Sequence, residues 1–172
     1  MSMPEEINRI VTDSISDLFF TTDRIADELL VSTGAPREHV HMVGNVMIDS
    51  LLKHRDKALE RATLKQLDLE QAGEVTPYAV LTLHRPGNVD DPEVLQGIGE
   101  ALTELGKRMP VIFPCHPRSR ARFRDNGLDE VFAAERGVHL LEPLGYLDFV
   151  NLMANASLIL TDSGGIQEES TI

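Results

Sequence analysis

Apolar positions along the chain follow two rhythms. Continuous runs at residues 18–21, 40–43, 78–83, 111–113, 138–141 and 158–160 have the length of buried strands and are bounded by turn formers. Between them apolar residues return every three or four positions: Ile7, Ile10, Val11 and Ile15; Ile25, Leu29 and Leu30; Ile48, Leu51, Leu52 and Leu59; Leu95, Ile98, Leu102 and Leu105; Val150 and Met153. That spacing predicts helices. Pro4 with Glu5 and Glu6 starts the first, Asp23 caps the second, which ends near Gly34 before Pro36, and Asp90-Asp91-Pro92 opens another. The polar stretch 61–77 reads as a short helix and a loop.

Strands separated by ten or more helical residues cannot form hairpins, so the pattern predicts an α/β domain with a parallel sheet, right-handed crossovers and helices on both faces. In such a sheet the loops after the strands leave at one edge, where ligands bind. His84, His116, the Pro143-Leu144-Gly145 turn and Ser163-Gly164-Gly165 each follow a predicted strand. They are therefore expected on one rim despite their separation in sequence.

The last of these turns carries the most chemistry. Leu158-Ile159-Leu160 runs into Thr161-Asp162-Ser163-Gly164-Gly165 and then helix formers, which predicts strand, tight turn and helix start. First-turn amides and two glycines suit a phosphate, and Glu168 or Glu169 could reach past it to a ribose diol. The same letters also describe a helix capped by Asp162 or Ser163 with no ligand. His84 can bond a pyrophosphate oxygen, move a proton, or cap its own loop. Arg85 can pair with phosphate or tie the loop to Asp90 or Asp91. Arg118, Arg120, Arg122 and Arg124 spread around a helix and read as a solvated surface. A metal set of His84, Cys115, His116 and Asp162 is disfavoured, because Cys115 and His116 are neighbours in an extended segment and point to opposite sides. Phe149 suits the core or a stacked base, and Leu144 offers backbone groups to a base edge.

Composition narrows the classes. The 172 residues are 42% hydrophobic, enough for one compact core, and the formal charge of −12 argues against a nucleic-acid partner. One cysteine forms no internal disulfide, no run of apolar residues spans a membrane, and Met1 to Glu6 lacks the pattern of a signal peptide. The expectation is a cytoplasmic protein without a membrane partner. Both ends look cut, because the last helix is short and an alternating pattern would continue into another strand; the chain is expected to be a fragment.

The motifs Pro4-Glu5-Glu6-Ile7-Asn8-Arg9, Gly44-Asn45-Val46-Met47-Ile48-Asp49, His84-Arg85-Pro86-Gly87-Asn88, His116-Pro117-Arg118, Pro143-Leu144-Gly145-Tyr146-Leu147-Asp148-Phe149 and Thr161-Asp162-Ser163-Gly164-Gly165-Ile166-Gln167-Glu168-Glu169 resemble the non-hydrolysing UDP-N-acetylglucosamine 2-epimerases, in family order across nearly the whole chain. The resemblance implies half of a two-domain enzyme of the glycosyltransferase-B arrangement: residues 1–22 the end of the first domain, and 23–172 a truncated, Rossmann-like, UDP-binding C-terminal domain. It implies interconversion of UDP-N-acetylglucosamine and UDP-N-acetylmannosamine through a 2-acetamidoglucal, in cell-surface polysaccharide biosynthesis. It implies no cofactor, no metal, and a homodimer in the complete protein. By the same resemblance Glu5 matches one of three catalytic carboxylates, His84 an active-site histidine near the diphosphate, Ser163, Gly164 and Gly165 the diphosphate turn, Glu169 the ribose acid, and Leu144 and Phe149 the uracil pocket. The family's other two carboxylates lie upstream of Met1 and a basic loop lies beyond Ile172, so the isolated chain is expected to be nearly inactive. Competing readings are a glycosyltransferase of the same architecture, a hydrolysing relative, and a non-catalytic UDP-sugar-binding half.

Overall fold

The computed structural model describes residues 4–115, 120, 121, 123, 124 and 137–172. They fall into two compact units, Met1–Ser50 and Leu51–Ile172.

In the first unit, helix α1 (Pro4–Ile15) carries two acidic residues in its first turn, and Arg9 pairs with Glu6 and Asp13 on one exposed face. Strand β1 (Phe19–Thr21) lies parallel to β2 (Val40–Met42), joined through α2 (Arg24–Ser32). Asp23 caps α2 by accepting from the Ala26 amide at 2.9 Å, as its position before an apolar-periodic run predicts. Thr21 donates its hydroxyl to the buried Asp27 carboxylate, which satisfies an acid that burial would otherwise penalise.

The second unit is built on a parallel four-stranded sheet. In chain order its strands are β5 (Ala79–Thr82), β6 (Val111–Pro114), β7 (Val138–Leu141) and β8 (Leu158–Thr161); in space the order is β7-β6-β5-β8. Side chains of β5 alternate between two cores. Ala79 and Leu81 join Leu95 and Leu102 of α6 (Pro92–Gly106) on one face. Tyr78 and Val80 join Leu64 and Leu152 on the other. Both faces are thus covered, and β5 reads as a continuous apolar run for that reason. Helices α3 (Val46–Leu59) and α7 (Tyr146–Ala154) extend the second face through Leu51, Ala58, Val150 and Met153.

Between α4 (Thr63–Gln66) and β5, the stretch expected to be a loop holds a two-stranded antiparallel pair, β3 (Glu70–Gln71) with β4 (Glu74–Val75). Its two-residue turn places Ala72 at φ 53° and Gly73 at φ 85°. Both positive angles match the twist of a tight hairpin. The sequence hides the turn because alanine, not asparagine, stands first.

One close approach fixes the entry to β7. Gly137 has φ +78°, and a Cβ placed there would lie 2.3 Å from the carbonyl oxygen of Gly106. Only glycine admits both the angle and the contact. Among the described residues no helix is long and apolar enough to cross a membrane. His116 and Arg118, and most of the expected basic helix that follows, lie outside the described residues; Arg120 within it pairs with Glu142 at 3.2 Å.

Candidate functional site

The strand order decides where a site can form. From β5 the chain moves outward on one side to β6 and β7, then returns to place β8 against the other side of β5. The loops after β5 and β8 therefore diverge on either side of a crevice, the place where open parallel sheets bind ligands. The first loop carries His84; the second carries Asp162 and Ser163.

These two loops are tied together by one carboxylate. Asp162 accepts from the His84 amide at 3.0 Å, the Arg85 amide at 2.8 Å and the Asn88 side-chain amide at 3.1 Å. Its other oxygen lies 2.6 Å from His84 Nδ1. Arg85 completes the tie, donating Nε to the Asp162 carbonyl at 2.7 Å. Arg85 is therefore bound across the crevice, and Asp91 caps α6. Just below, the hydroxyls of Thr82 and Thr161 pair at 2.7 Å, and the Ser163 amide donates to Thr161 Oγ1 at 3.0 Å. The Asp162 side chain is 7% exposed and that of His84 60%. Burial alone would raise the Asp162 pKa, but the backbone amides of Arg85 and His84, the Asn88 amide and the His84 charge together hold it below its ordinary value.

Helix α5 (Pro86–Val89) follows the His84 loop and α8 (Gly164–Glu169) follows the Ser163 turn. Ser163, not Asp162, caps α8, its Oγ accepting from the Ile166 amide. Gly164 is exposed, and a Cβ there would meet nothing within 4 Å, so the space before the turn is open. Further along α8, Glu169 is half-buried and its pKa is raised by that burial. It borders a cavity of about 260 Å³ that Leu51, Arg55, Val150 and Ile159 also line. Burial and the charge of Glu169 raise the pKa of Tyr146, which puts that phenol within reach of the carboxylate's field.

Leu144 and Phe149 flank the start of α7, and both pack partly buried against the cluster of Tyr78, Val80 and Ile112. Phe149 and Ile166 of α8 also share the cluster of Leu51, Val150 and Met153. The turn is held from outside. Asp148 receives a two-pronged bond from Arg61, at 2.8 and 3.0 Å, and a third from Thr63 at 2.8 Å. Neither Arg61 nor Thr63 carries a sequence signal for this contact, since they lie 87 and 85 positions away. Glu5 stands exposed in the first turn of α1, in the first unit. Among the described residues no group of three metal-binding side chains exists, and burial pushes the Cys115 thiol up to about 11, away from thiolate chemistry.

The model of the UDP-N-acetylglucosamine 2-epimerase family matches residues 1–172. The chain belongs to that family. It is 37% identical to the UDP-N-acetylglucosamine 2-epimerase of Methanocaldococcus jannaschii, over 99% of this chain and 47% of that protein. It is 39% identical to the UDP-2,3-diacetamido-2,3-dideoxy-D-glucuronate 2-epimerase of Pseudomonas aeruginosa, over 99% of this chain and 45% of that one. The chain thus spans about half the length of these family members. In structure it resembles the M. jannaschii enzyme in complex with UDP-GlcNAc and UDP, with a TM-score of 0.82, 37% identity, and coverage of 97% of this chain and 46% of the other. A Neisseria meningitidis epimerase bound to UDP-GlcNAc gives a TM-score of 0.80 at 31% identity, covering 96% and 45%. The parallel sheet flanked by helices is therefore half of the glycosyltransferase-B-type fold of this family.

Proposed function

We propose that the complete protein is a UDP-N-acetylglucosamine 2-epimerase and that this chain supplies its UDP-holding half. The observation that carries the reading is the corner at the switch point, where Asp162 binds the His84 loop to the Ser163 turn within a chain that matches the family along its length. Residues 23–172 form the nucleotide domain in this reading and residues 1–22 close the first domain. The complete protein acts as a cytoplasmic homodimer in cell-surface polysaccharide synthesis, on UDP-sugar and neither nucleic acid nor membrane.

The geometry suits the chemistry. A carboxylate, Glu5 or one of its counterparts, takes the proton from sugar C2; its electron pair forms the C1–C2 double bond, and the C1–oxygen pair leaves on the diphosphate. Negative charge grows on that diphosphate as UDP departs. The turn at Ser163, Gly164 and Gly165, through the Ser163 hydroxyl and the amides of Gly164 and Gly165, and the imidazole of His84 stabilise that charge. Re-addition of UDP after protonation on the other face gives UDP-N-acetylmannosamine. Glu169 accepts from the ribose hydroxyls, Leu144 presents backbone groups to uracil, and Phe149 walls its ring. No cofactor or metal enters this sequence.

Proton NMR of UDP-N-acetylglucosamine in deuterated water with the complete protein tests the reaction. Exchange at C2 with formation of the mannosamine epimer is expected; transfer of sugar to an acceptor without exchange would identify a glycosyltransferase instead, and release of free N-acetylmannosamine a hydrolysing epimerase. A second substrate merits the same assay. The 39% identity to the P. aeruginosa enzyme, whose name carries a diacetamido-glucuronate, favours including that UDP-sugar, because the nucleotide half holds UDP and leaves sugar choice to the other domain.

A further inference from the structure

We infer that Asp162 is a positioning residue that fixes the proton of the His84 imidazole on Nδ1, leaving Nε2 as the nitrogen presented to the ligand. The inference rests on the proposed UDP site for its purpose, but not for its geometry.

Five donor contacts converge on the two oxygens of Asp162. One oxygen takes the amides of His84 and Arg85 and the Asn88 side chain, at 3.0, 2.8 and 3.1 Å. The other takes the His84 amide at 3.2 Å and lies 2.6 Å from His84 Nδ1. An ionised carboxylate has only acceptors to offer, so the ring nitrogen facing it must carry a hydrogen. That selects the Nδ1–H tautomer. Carboxylates that orient a histidine ring in this way set both its tautomer and its angle.

The exposures show which side is left for a partner. The carboxylate is 7% exposed and the imidazole 60%, so the pair presents its ring outward and keeps its negative charge inside. Nε2 lies on the far side of the ring from Nδ1. It holds a lone pair when the ring is neutral and donates when the ring is protonated; the buried charge of Asp162 then faces the imidazolium through Nδ1. Among the described residues, the charged groups bonded to the His84 loop are Asp162 itself and Arg85, whose Nε is engaged by the Asp162 carbonyl. When the ring is protonated, a diphosphate arriving at Nε2 meets a donor whose positive charge is compensated from behind, which makes the bond charge-assisted.

Asp162→Asn tests this with almost no change of shape. The oxygen that serves three donors must remain an oxygen, so the new amide nitrogen falls opposite His84 Nδ1. A donor now faces the ring, and Nδ1 has to become the acceptor. Long-range proton–nitrogen NMR of the 172-residue chain, at a pH that leaves the ring neutral, reads the outcome without any ligand. Expected are a protonated Nδ1 in the wild type and a protonated Nε2 in Asp162→Asn. Asn88→Ala, which removes one donor from the other oxygen, should leave the wild-type tautomer in place. A protonated Nε2 in the wild type overturns the inference, as does an unchanged tautomer in Asp162→Asn; the wild-type spectrum alone decides should the variant fail to fold. UDP titrated into the same two proteins at a pH low enough to protonate the wild-type ring should bind the variant about tenfold more weakly, the difference between a charged and a neutral donor. If UDP binds neither protein while the tautomers behave as stated, the UDP reading fails and the positioning role of Asp162 stands.

Discussion

Nδ1 of His84 stands 2.6 Å from a carboxylate oxygen of Asp162, across 78 positions of sequence. The two residues close neighbouring strands, with Thr82 of β5 in register with Thr161 of β8. Parallel pairing puts both strand ends at the same height, and the carboxylate then reaches over the two backbone amides of the facing loop.

Removing that carboxylate should loosen the loop. Asp162→Ala leaves the His84 and Arg85 amides without their acceptor, and water can replace only part of the loss at this half-open edge. Unfolding stability should fall by about 1–3 kcal/mol. Hydrogen exchange at the His84 and Arg85 amides should accelerate more than at β6; uniform acceleration would mean that the tie is not local.

Acid should weaken the fold through two aspartates. The pKa values of Asp162 and Asp148 lie below their ordinary value of 3.8 in the folded chain. A carboxyl with a lowered folded pKa stabilises the fold above its unfolded pKa and loses that contribution as pH falls through the folded one. Urea midpoints measured downward from about pH 5 should drop below the ordinary carboxylate range, and the drop should shrink in Asp148→Asn. That change stays small, under about 1 kcal/mol, because Arg61 is half exposed and water screens the pair.

Glu169 should behave in the opposite sense. Burial raises its pKa above 4.5, so the fold favours its protonated form and that preference is lost as pH rises through the folded value. Glu169→Gln should therefore leave stability near neutral pH unchanged or higher. If Glu169 accepts from the ribose, the same variant weakens UDP binding about tenfold. Calorimetric titration separates the two effects; a variant that binds UDP as tightly as wild type counts against the ribose role.

Gly137→Ala should cost more than a surface glycine exchange. The left-handed angle and a 2.3 Å approach to the Gly106 carbonyl act together, so β7 must shift away from α6. A loss of about 1–3 kcal/mol is expected from the strain, read by thermal unfolding. Gly97→Ala, in α6 with open space around its Cβ, should not lower stability.

Which elements form is legible in the sequence because local rules govern them. The strands at Ala79–Thr82, Val111–Pro114, Val138–Leu141 and Leu158–Thr161 fall where apolar runs stand, and the Asp23 and Asp91 caps fall where capping residues precede helical periodicity. The β3–β4 hairpin escapes because its turn uses Ala72 in a conformation that other residues usually supply.

The sequence by itself determined the parallel α/β architecture and the strand-end placement of His84 and Ser163, since periodicity and connection length are properties of neighbouring residues. Only the tertiary structure decided the order β7-β6-β5-β8, and with it the pairing of β5 with β8. That pairing turned Asp162 from a possible helix cap into the acceptor for the His84 loop, while the packing of α4 against α7 set Arg61 and Thr63 on Asp148. Such contacts join residues some eighty positions apart, and no local pattern encodes which distant donor a carboxylate will meet.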